Sequence, residues 1–242
     1  MGVPVIEIFS SVQGEGLYVG CRQIFIRFFG CNLKCSYCDT DFSGVPAYCR
    51  VETEPGRGYF TQVPNPLDSS AITKILNRLV IKKHHSISLT GGEPLLNSNM
   101  LKELIPTLGG IKVYLETNGT LPEELSRIID LVDVIAMDVK LPSTSGLSDL
   151  WDKHASFLKI ASVKESFVKV VVAEHTLEWE VERAARMIRD IAPSSSLVIQ
   201  PITIGDTIGI SSARLCELQW HALKFLDDVR IIPQTHKLMG ML

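Results

Sequence analysis

Cys31-Asn32-Leu33-Lys34-Cys35-Ser36-Tyr37-Cys38-Asp39-Thr40 carries three cysteines separated by three and then two residues. A thiolate every third or fourth position wraps a short loop around one inorganic centre, and soft sulfur ligands suit an iron-sulfur cluster or zinc. Three ligands are one short of the four used by a closed zinc site or a fully protein-ligated 4Fe-4S cluster. A 4Fe-4S cluster held by Cys31, Cys35 and Cys38 keeps one iron open, and an open metal position is where chemistry takes place. The competing reading is a zinc-stabilised binding module, its fourth ligand supplied by Cys21, Cys49 or a histidine. A disulfide framework fits poorly: Met1-Gly2-Val3-Pro4 lacks the apolar core of a secretory signal, so the chain reads as cytoplasmic, where thiols stay reduced. Cys21, Cys49 and Cys216 are taken as small apolar residues.

Outward from this loop the chain alternates short apolar strands with amphipathic helices. Strands are expected at Val5–Phe9, Gln23–Phe29, His85–Leu89, Ile111–Leu115, Val132–Met137, Phe167–Val172, Leu197–Ile199 and Val229–Ile232. Helical stripes run through Ile72, Ile75, Leu76 and Leu79, with Ser69 or Ser70 as cap, through Met100–Leu108, through Val181, Ala184, Ala185 and Ile188, and through Leu215, Leu218 and Ala222. Pro122 suits the first turn of another helix. The segment 43–69, with Gly44, Pro46, Pro55, Gly56, Gly58, Pro64 and Pro66, reads as a long loop without periodicity, a lid or an interface element.

Such alternation predicts an α/β fold with a parallel sheet, in one domain over residues 1–242. The 45% hydrophobic content of 242 residues supports a full core. Twenty-four basic against 27 acidic side chains, a net charge of −3 and no long run of either sign argue against nucleic acid as a ligand, and no apolar run is long enough to span a membrane. Polar residues fall at successive strand ends: Thr90-Gly91-Gly92-Glu93, Glu116-Thr117-Asn118, Asp138 and Lys140, Gln200, and Gln234 to His236. In parallel α/β folds those ends share the face that carries the active site. Arg27 interrupts an apolar strand, so its guanidinium needs either an ion-pair partner or a substrate carboxylate. Gly14 and Gly16 around Glu15 form a tight loop just upstream.

The three-cysteine loop, with aromatic Tyr37 directly before Cys38, resembles the signature of the radical S-adenosylmethionine (SAM) enzymes. Gly91-Gly92-Glu93-Pro94, about fifty residues later at a strand end, resembles their GGE motif. The resemblance implies a partial (β/α)6 barrel, and a 4Fe-4S cluster whose open iron is chelated by SAM and whose electron releases a 5'-deoxyadenosyl radical. It also implies a cofactor-binding set of Tyr37, Asp39, Gly92, Glu93, Thr117, Asp138, Lys140 and Gln200. Phe9-Ser10-Ser11-Val12-Gln13-Gly14-Glu15-Gly16, Cys38-Asp39-Thr40 and Pro233-Gln234-Thr235-His236-Lys237 together resemble the 7-carboxy-7-deazaguanine synthase family of the queuosine and 7-deazapurine pathway, over the whole chain.

That resemblance implies conversion of 6-carboxy-5,6,7,8-tetrahydropterin to 7-carboxy-7-deazaguanine with loss of ammonia, with Mg²⁺ required. By it, Val12, Gln13, Gly14, Glu15, Arg27, Thr90, Gln234 and His236 meet the pterin and Thr40 meets Mg²⁺. A flavodoxin or ferredoxin as electron donor and a homodimer are implied as partners. Segment 43–69 and the ending Met239-Gly240-Met241-Leu242 depart from the family pattern, which ends in proline. A glycyl-radical-enzyme activase shares the cysteine spacing, but it acts on a protein and has no use for Gln13, Glu15 and Arg27.

Overall fold

The computed structural model describes residues 2–205 and 207–242; Met1 and Asp206 lie outside the described residues. Its strands are β1 (Val5–Val12), β2 (Arg22–Phe28), β3 (Tyr48–Glu52), β4 (Phe60–Pro64), β5 (Ser86–Gly91), β6 (Lys112–Thr117), β7 (Val134–Asp138), β8 (Glu165–Val172), β9 (Leu197–Pro201), the short hairpin β10 (Thr203–Ile204) and β11 (Thr207–Ile208), and β12 (Val229–Ile231). The helices are α1 (Ser69–Arg78), α2 (Ser98–Leu104), α3 (Pro122–Ser126), α4 (Pro142–Ser145), α5 (Trp151–Ala161), α6 (Glu178–Ile191), α7 (Ser212–Leu223) and α8 (Thr235–Leu238). Ten strands form one sheet in the order β12-β9-β8-β7-β6-β5-β2-β1-β3-β4. From β2 to β12 every pairing is parallel, whereas β1 runs antiparallel to β2.

Strand side chains alternate between two faces. One row (Ile87 and Leu89, Val113 and Leu115, Ile135 and Met137, Val168 and Val170, Leu197 and Ile199) is buried in the main core with Ile72 and Leu76 of α1, Leu101 of α2, Phe157 of α5, Val181 and Ile188 of α6 and Leu218 of α7. The opposite row is shorter of hydrocarbon. Tyr114, Val134, Ala136, Phe167 and Val198 form a small second cluster with Leu17, Tyr18 and Ile232. Thr90, Glu116, Asp138, Lys169 and Gln200 lie on that same inner face. A one-residue slip of any central strand would exchange these rows and bury charge among the helices, so the register is strongly specified.

Three expectations need correction. Segment 43–69 is not a structureless loop. Tyr48–Glu52 adds to the sheet parallel to β1 through Glu7↔Arg50 and Ile8↔Val51, and Phe60–Pro64 pairs back antiparallel. Cys49 and Val51 are buried while Tyr48 and Arg50 are exposed, an alternation that the surrounding prolines and glycines conceal. The N-cap of α1 is Asp68, whose carboxylate accepts the Ala71 N–H at 2.8 Å, rather than Ser69 or Ser70. The stretch expected as helix Met100–Leu108 is α-helical to Leu104 and continues as a 3-10 turn over Ile105–Leu108, where Pro106 lacks the amide an α-helix needs. Among the described residues no helix is long and apolar enough to cross a membrane.

Candidate active site

The inner face opens into a cavity of about 290 Å³ at the carboxyl ends of the parallel strands. Two loops of unlike construction bound it. Because β1 is antiparallel, the chain that leaves it enters from the opposite side, and Gln13 to Gly16 lies across the second cluster. The Gln13 N–H donates to Cys21 O at 2.8 Å and Gln13 O accepts the Gly20 N–H at 2.8 Å. The Gln13 amide donates to Glu116 Oε1 at 2.8 Å and to Gln23 Oε1 at 3.1 Å, and its Oε1 accepts the Glu15 N–H at 3.0 Å. Gly14 O accepts from the Thr235 N–H at 2.9 Å and from its hydroxyl at 3.1 Å, while Gln234 Nε2 donates to Glu15 Oε1 at 2.7 Å. Glycine is required at 14: a Cβ there would lie 2.1 Å from His236 Nδ1.

Charge in the cavity is balanced by neighbours. Lys169 Nζ bonds the Glu15 carboxylate and sits 3.3 Å from Asp138 Oδ2, which also pairs with Lys140 Nζ at 2.9 Å. Glu15 would be raised by burial alone, yet Lys169 and the Gln234 amide hold its carboxyl down at about 2. Burial acts against the Lys140 and Lys169 ammoniums, but the carboxylates of Asp138 and Glu15 hold both above the ordinary lysine value. Glu116 is saturated on its floor side by Gln13, by the Ser88 hydroxyl at 2.9 Å and by the Thr90 hydroxyl at 2.8 Å. The Arg27 Nε donates to Glu7 Oε1 at 2.9 Å, and among the described residues its two Nη groups have no partner. The strand arginine thus has its ion pair and still offers a fork to the cavity.

The cysteine loop is held more lightly. Ser36 donates from its N–H to Ser145 O at 2.8 Å and from its hydroxyl to Thr144 O at 2.9 Å, and Lys237 Nζ reaches Asp39 Oδ2 at 2.9 Å. Asn118 Nδ2 donates to Asn32 Oδ1 at 2.8 Å and lies 3.8 Å from Cys31 Sγ; the Leu33 N–H points at the same sulfur at 3.4 Å. Burial pushes the Cys31 and Cys35 thiols up, while Cys38 is exposed. Lys140 Nζ sits 5.2 Å from the centre of the Tyr37 ring. The Gly91-Gly92 pair runs beside Phe28 to Gly30, with the Gly92 N–H on Phe28 O at 3.1 Å and the Glu93 N–H on Gly30 O at 2.9 Å. A Cβ at Gly92 would meet Gly30 O at 1.9 Å.

Every residue expected in the site lines this one cavity except Glu93. Glu93 is fully buried behind it. Its carboxylate accepts the Leu95 N–H at 3.1 Å, the Thr117 hydroxyl at 2.9 Å and the Asn118 N–H at 2.8 Å, and burial pushes it up to about 7. It ties two strand ends together rather than facing a ligand. Lys169, Glu116 and Asn118 complete the walls; Lys169 carries the same mark as Arg27, a lone charge within an apolar strand. Leu242 also reaches the cavity mouth.

A radical SAM superfamily model matches residues 25–197. A 7-carboxy-7-deazaguanine synthase from Geobacter sulfurreducens is 48% identical, the alignment covering 100% of this chain and 98% of that protein. The chain belongs to the 7-carboxy-7-deazaguanine synthase family of radical SAM enzymes. Another family member, from Methanothermobacter thermautotrophicus, is 35% identical over 100% of this chain and 98% of its own. The crystal structure of QueE from Escherichia coli, at 21% identity, shares the fold with a TM-score of 0.59 over 96% of this chain and 94% of that one.

The family implies a 4Fe-4S cluster and SAM, and the donor chemistry of the residues lining the cavity suits both. Cys31, Cys35 and Cys38 all line the cavity mouth, although among the described residues no three such side chains are drawn together as a metal-holding group; Cys31 is already approached by two N–H donors of the kind that stabilise a metal-bound thiolate. Asp138 Oδ1 and Gln200 Oε1 are buried acceptors without a partner among the described residues, both on the cavity wall. Buried acceptors are rarely left bare in the working state of a protein, and a ligand rich in amino and hydroxyl donors supplies what they lack.

Proposed function

We propose that this enzyme converts 6-carboxy-5,6,7,8-tetrahydropterin to 7-carboxy-7-deazaguanine and ammonia, with its pterin held from the floor loop and its cofactors at the cysteine mouth. The observation that carries this reading is the meeting of Gln13, Glu15 and Arg27 with Cys31, Cys35 and Cys38 in one cavity. Cys31, Cys35 and Cys38 would ligate three irons, and SAM would occupy the fourth, lying along Gly92, Thr117, Asp138, Lys140 and Gln200 with Tyr37 and Asp39 beside it. When bound, these groups supply a carbon-centred radical able to take a hydrogen atom from an unactivated carbon.

The chain's own part is placement. The ionised Glu15 carboxylate and the Gln13 and Gln234 amides present acceptors and donors to the polar edge of the pyrimidine ring. The free Nη pair of Arg27 fits a carboxylate bidentately, fixing the far end of the substrate. Thr90 and His236 close the sides. Thr40, on the cavity wall, would offer its hydroxyl to Mg²⁺, since a hard cation prefers oxygen. Two fixed ends leave one C–H, that at C6, turned to the mouth, and orientation of this kind is a large share of what a protein contributes to catalysis.

The same reading makes residues 1–242 one radical SAM domain acting in the cytoplasm as a homodimer, with electrons from a flavodoxin or ferredoxin and a small molecule as substrate. The test is anaerobic: reconstituted enzyme, the carboxypterin, SAM, dithionite and Mg²⁺, analysed by mass for product. Formation of 7-carboxy-7-deazaguanine, slowed when Mg²⁺ is withheld, supports the reading. SAM cleavage with the pterin unchanged contradicts it.

A further inference from the structure

Lys169 is a cavity cation that none of the sequence motifs names. The run Phe167-Val168-Lys169-Val170-Val171-Val172 alternates so that Lys169 faces inward with Phe167 and Val171. An ammonium in such surroundings is unfavourable unless paired, and an apolar side chain would fill the space at lower cost. Its partners come from the two halves of the cavity: the Glu15 carboxylate on the floor loop, and Asp138 Oδ2 at the end of β7, 3.3 Å away. The two carboxylates differ in their remaining support. Asp138 keeps Lys140 at 2.9 Å, whereas among the described residues Glu15 keeps, besides Lys169, only the neutral Gln234 amide as a hydrogen-bond donor from a side chain, with His236 as a weaker electrostatic neighbour.

We propose that Lys169 is a positioning residue that holds Glu15 as an ionised, fixed acceptor for the pterin and ties it to the cofactor-side Asp138. The proposal rests on the reading that Glu15 faces the pterin. The charged and titratable groups around Glu15 are Lys169 on β8, Asp138 and Lys140 at the end of β7, Tyr114 and Glu116 on β6, and His236 beyond β12. Without Lys169, burial works on Glu15 against only the Gln234 hydrogen bond and the weaker pull of His236, so the carboxyl becomes protonated toward neutral pH. A protonated Glu15 is a poorer acceptor, so pterin binding should weaken as pH falls. With Lys169 present, Glu15 stays ionised throughout the neutral range.

The test uses the iron-loaded enzyme with SAM and Mg²⁺ under anaerobic conditions, titrated with the carboxypterin at pH 6, 7, 8 and 9. For the wild type the Kd should be flat across this range. For Lys169→Met it should rise on the order of tenfold or more at pH 7 and recover as pH rises, while SAM affinity changes by less than about threefold because Lys140 remains. Glu15→Gln with Lys169→Met should remove the pH dependence and bind no worse than Glu15→Gln alone. Should Lys169→Met not load iron, Lys169→Arg, which keeps the charge, and the double variant carry the test. A Kd unchanged and flat for Lys169→Met, equal losses of pterin and SAM affinity, or a flat profile for Lys169→Met at weakened affinity would each overturn the proposal. A wild-type enzyme that binds SAM but not the pterin defeats the functional reading and this proposal with it.

Discussion

The floor loop at Gln13 to Gly16 and the cysteine loop at Cys31 to Thr40 bound the same cavity and are built in opposite ways. In the first, backbone and side chains are bonded to four other parts of the chain, through Cys21, Glu116, Lys169 and Gln234. In the second, Cys38 is exposed and anchoring comes mainly from Ser36, Asn32 and Asp39. The difference separates two tasks. A substrate must find its partners in place, because ordering them on binding would use up affinity. A cluster can order its own ligands, since metal binding is coupled to folding of the segment that holds it.

The comparison breaks first at the mouth. Cys35→Ala should abolish iron loading and lower turnover by on the order of a thousandfold or more, with the far-ultraviolet circular dichroism of the apoprotein unchanged because the sheet does not depend on the loop. Loss of the sheet signal would show that the cluster loop is part of the core. Arg27→Ala removes the carboxylate fork on the floor side. About a hundredfold lower kcat/KM is expected with iron content intact, and undiminished activity would mean that Arg27 serves only its Nε bond to Glu7.

Gly14→Ala sharpens the contrast further. Its methyl group would displace His236 and Thr235 from the floor loop, and about a tenfold loss in kcat/KM with normal iron content should follow. The smallest effect belongs to Glu93, behind both loops. Its folded value near 7 exceeds the unfolded one, so the neutral form favours the folded state. Its contribution to stability is present at low pH and is lost as pH rises from about 4.5 through 7. The apoprotein should therefore lose about 1–2 kcal/mol between pH 5.5 and 7.5 relative to Glu93→Gln, read from denaturant unfolding. Equal slopes for the two proteins would mean that the three donors keep Glu93 ionised.

The cysteine triplet and the polar strand ends were legible because parallel α/β folds gather strand termini on one face, so spacing along the chain became proximity in space. Gln13 and Glu15 reached the site by another route, through an antiparallel first strand that periodicity does not reveal; only motif resemblance pointed to them. Lys169 is not legible because a single lysine in a valine run has no spaced partner in the sequence to mark it as facing a cavity. The β3–β4 hairpin was hidden by prolines and glycines at its ends and turn. Helix α5 is hard to read in the sequence because its buried stripe of Trp151, His154, Phe157, Leu158 and Ala161 includes a histidine, which breaks the apolar count although the ring is buried and its Nε2 lies 3.2 Å from Asn118 O.

If a rigid floor turns one C–H of the substrate toward a mouth ordered by its cofactors, isotope labelling should reveal it. Carboxypterin bearing deuterium at C6, incubated anaerobically with reconstituted enzyme, SAM, dithionite and Mg²⁺, should pass deuterium into the 5' carbon of the SAM-derived adenosyl group. Product that forms with the 5' carbon free of label, or deuterium lost only to solvent, would contradict the account.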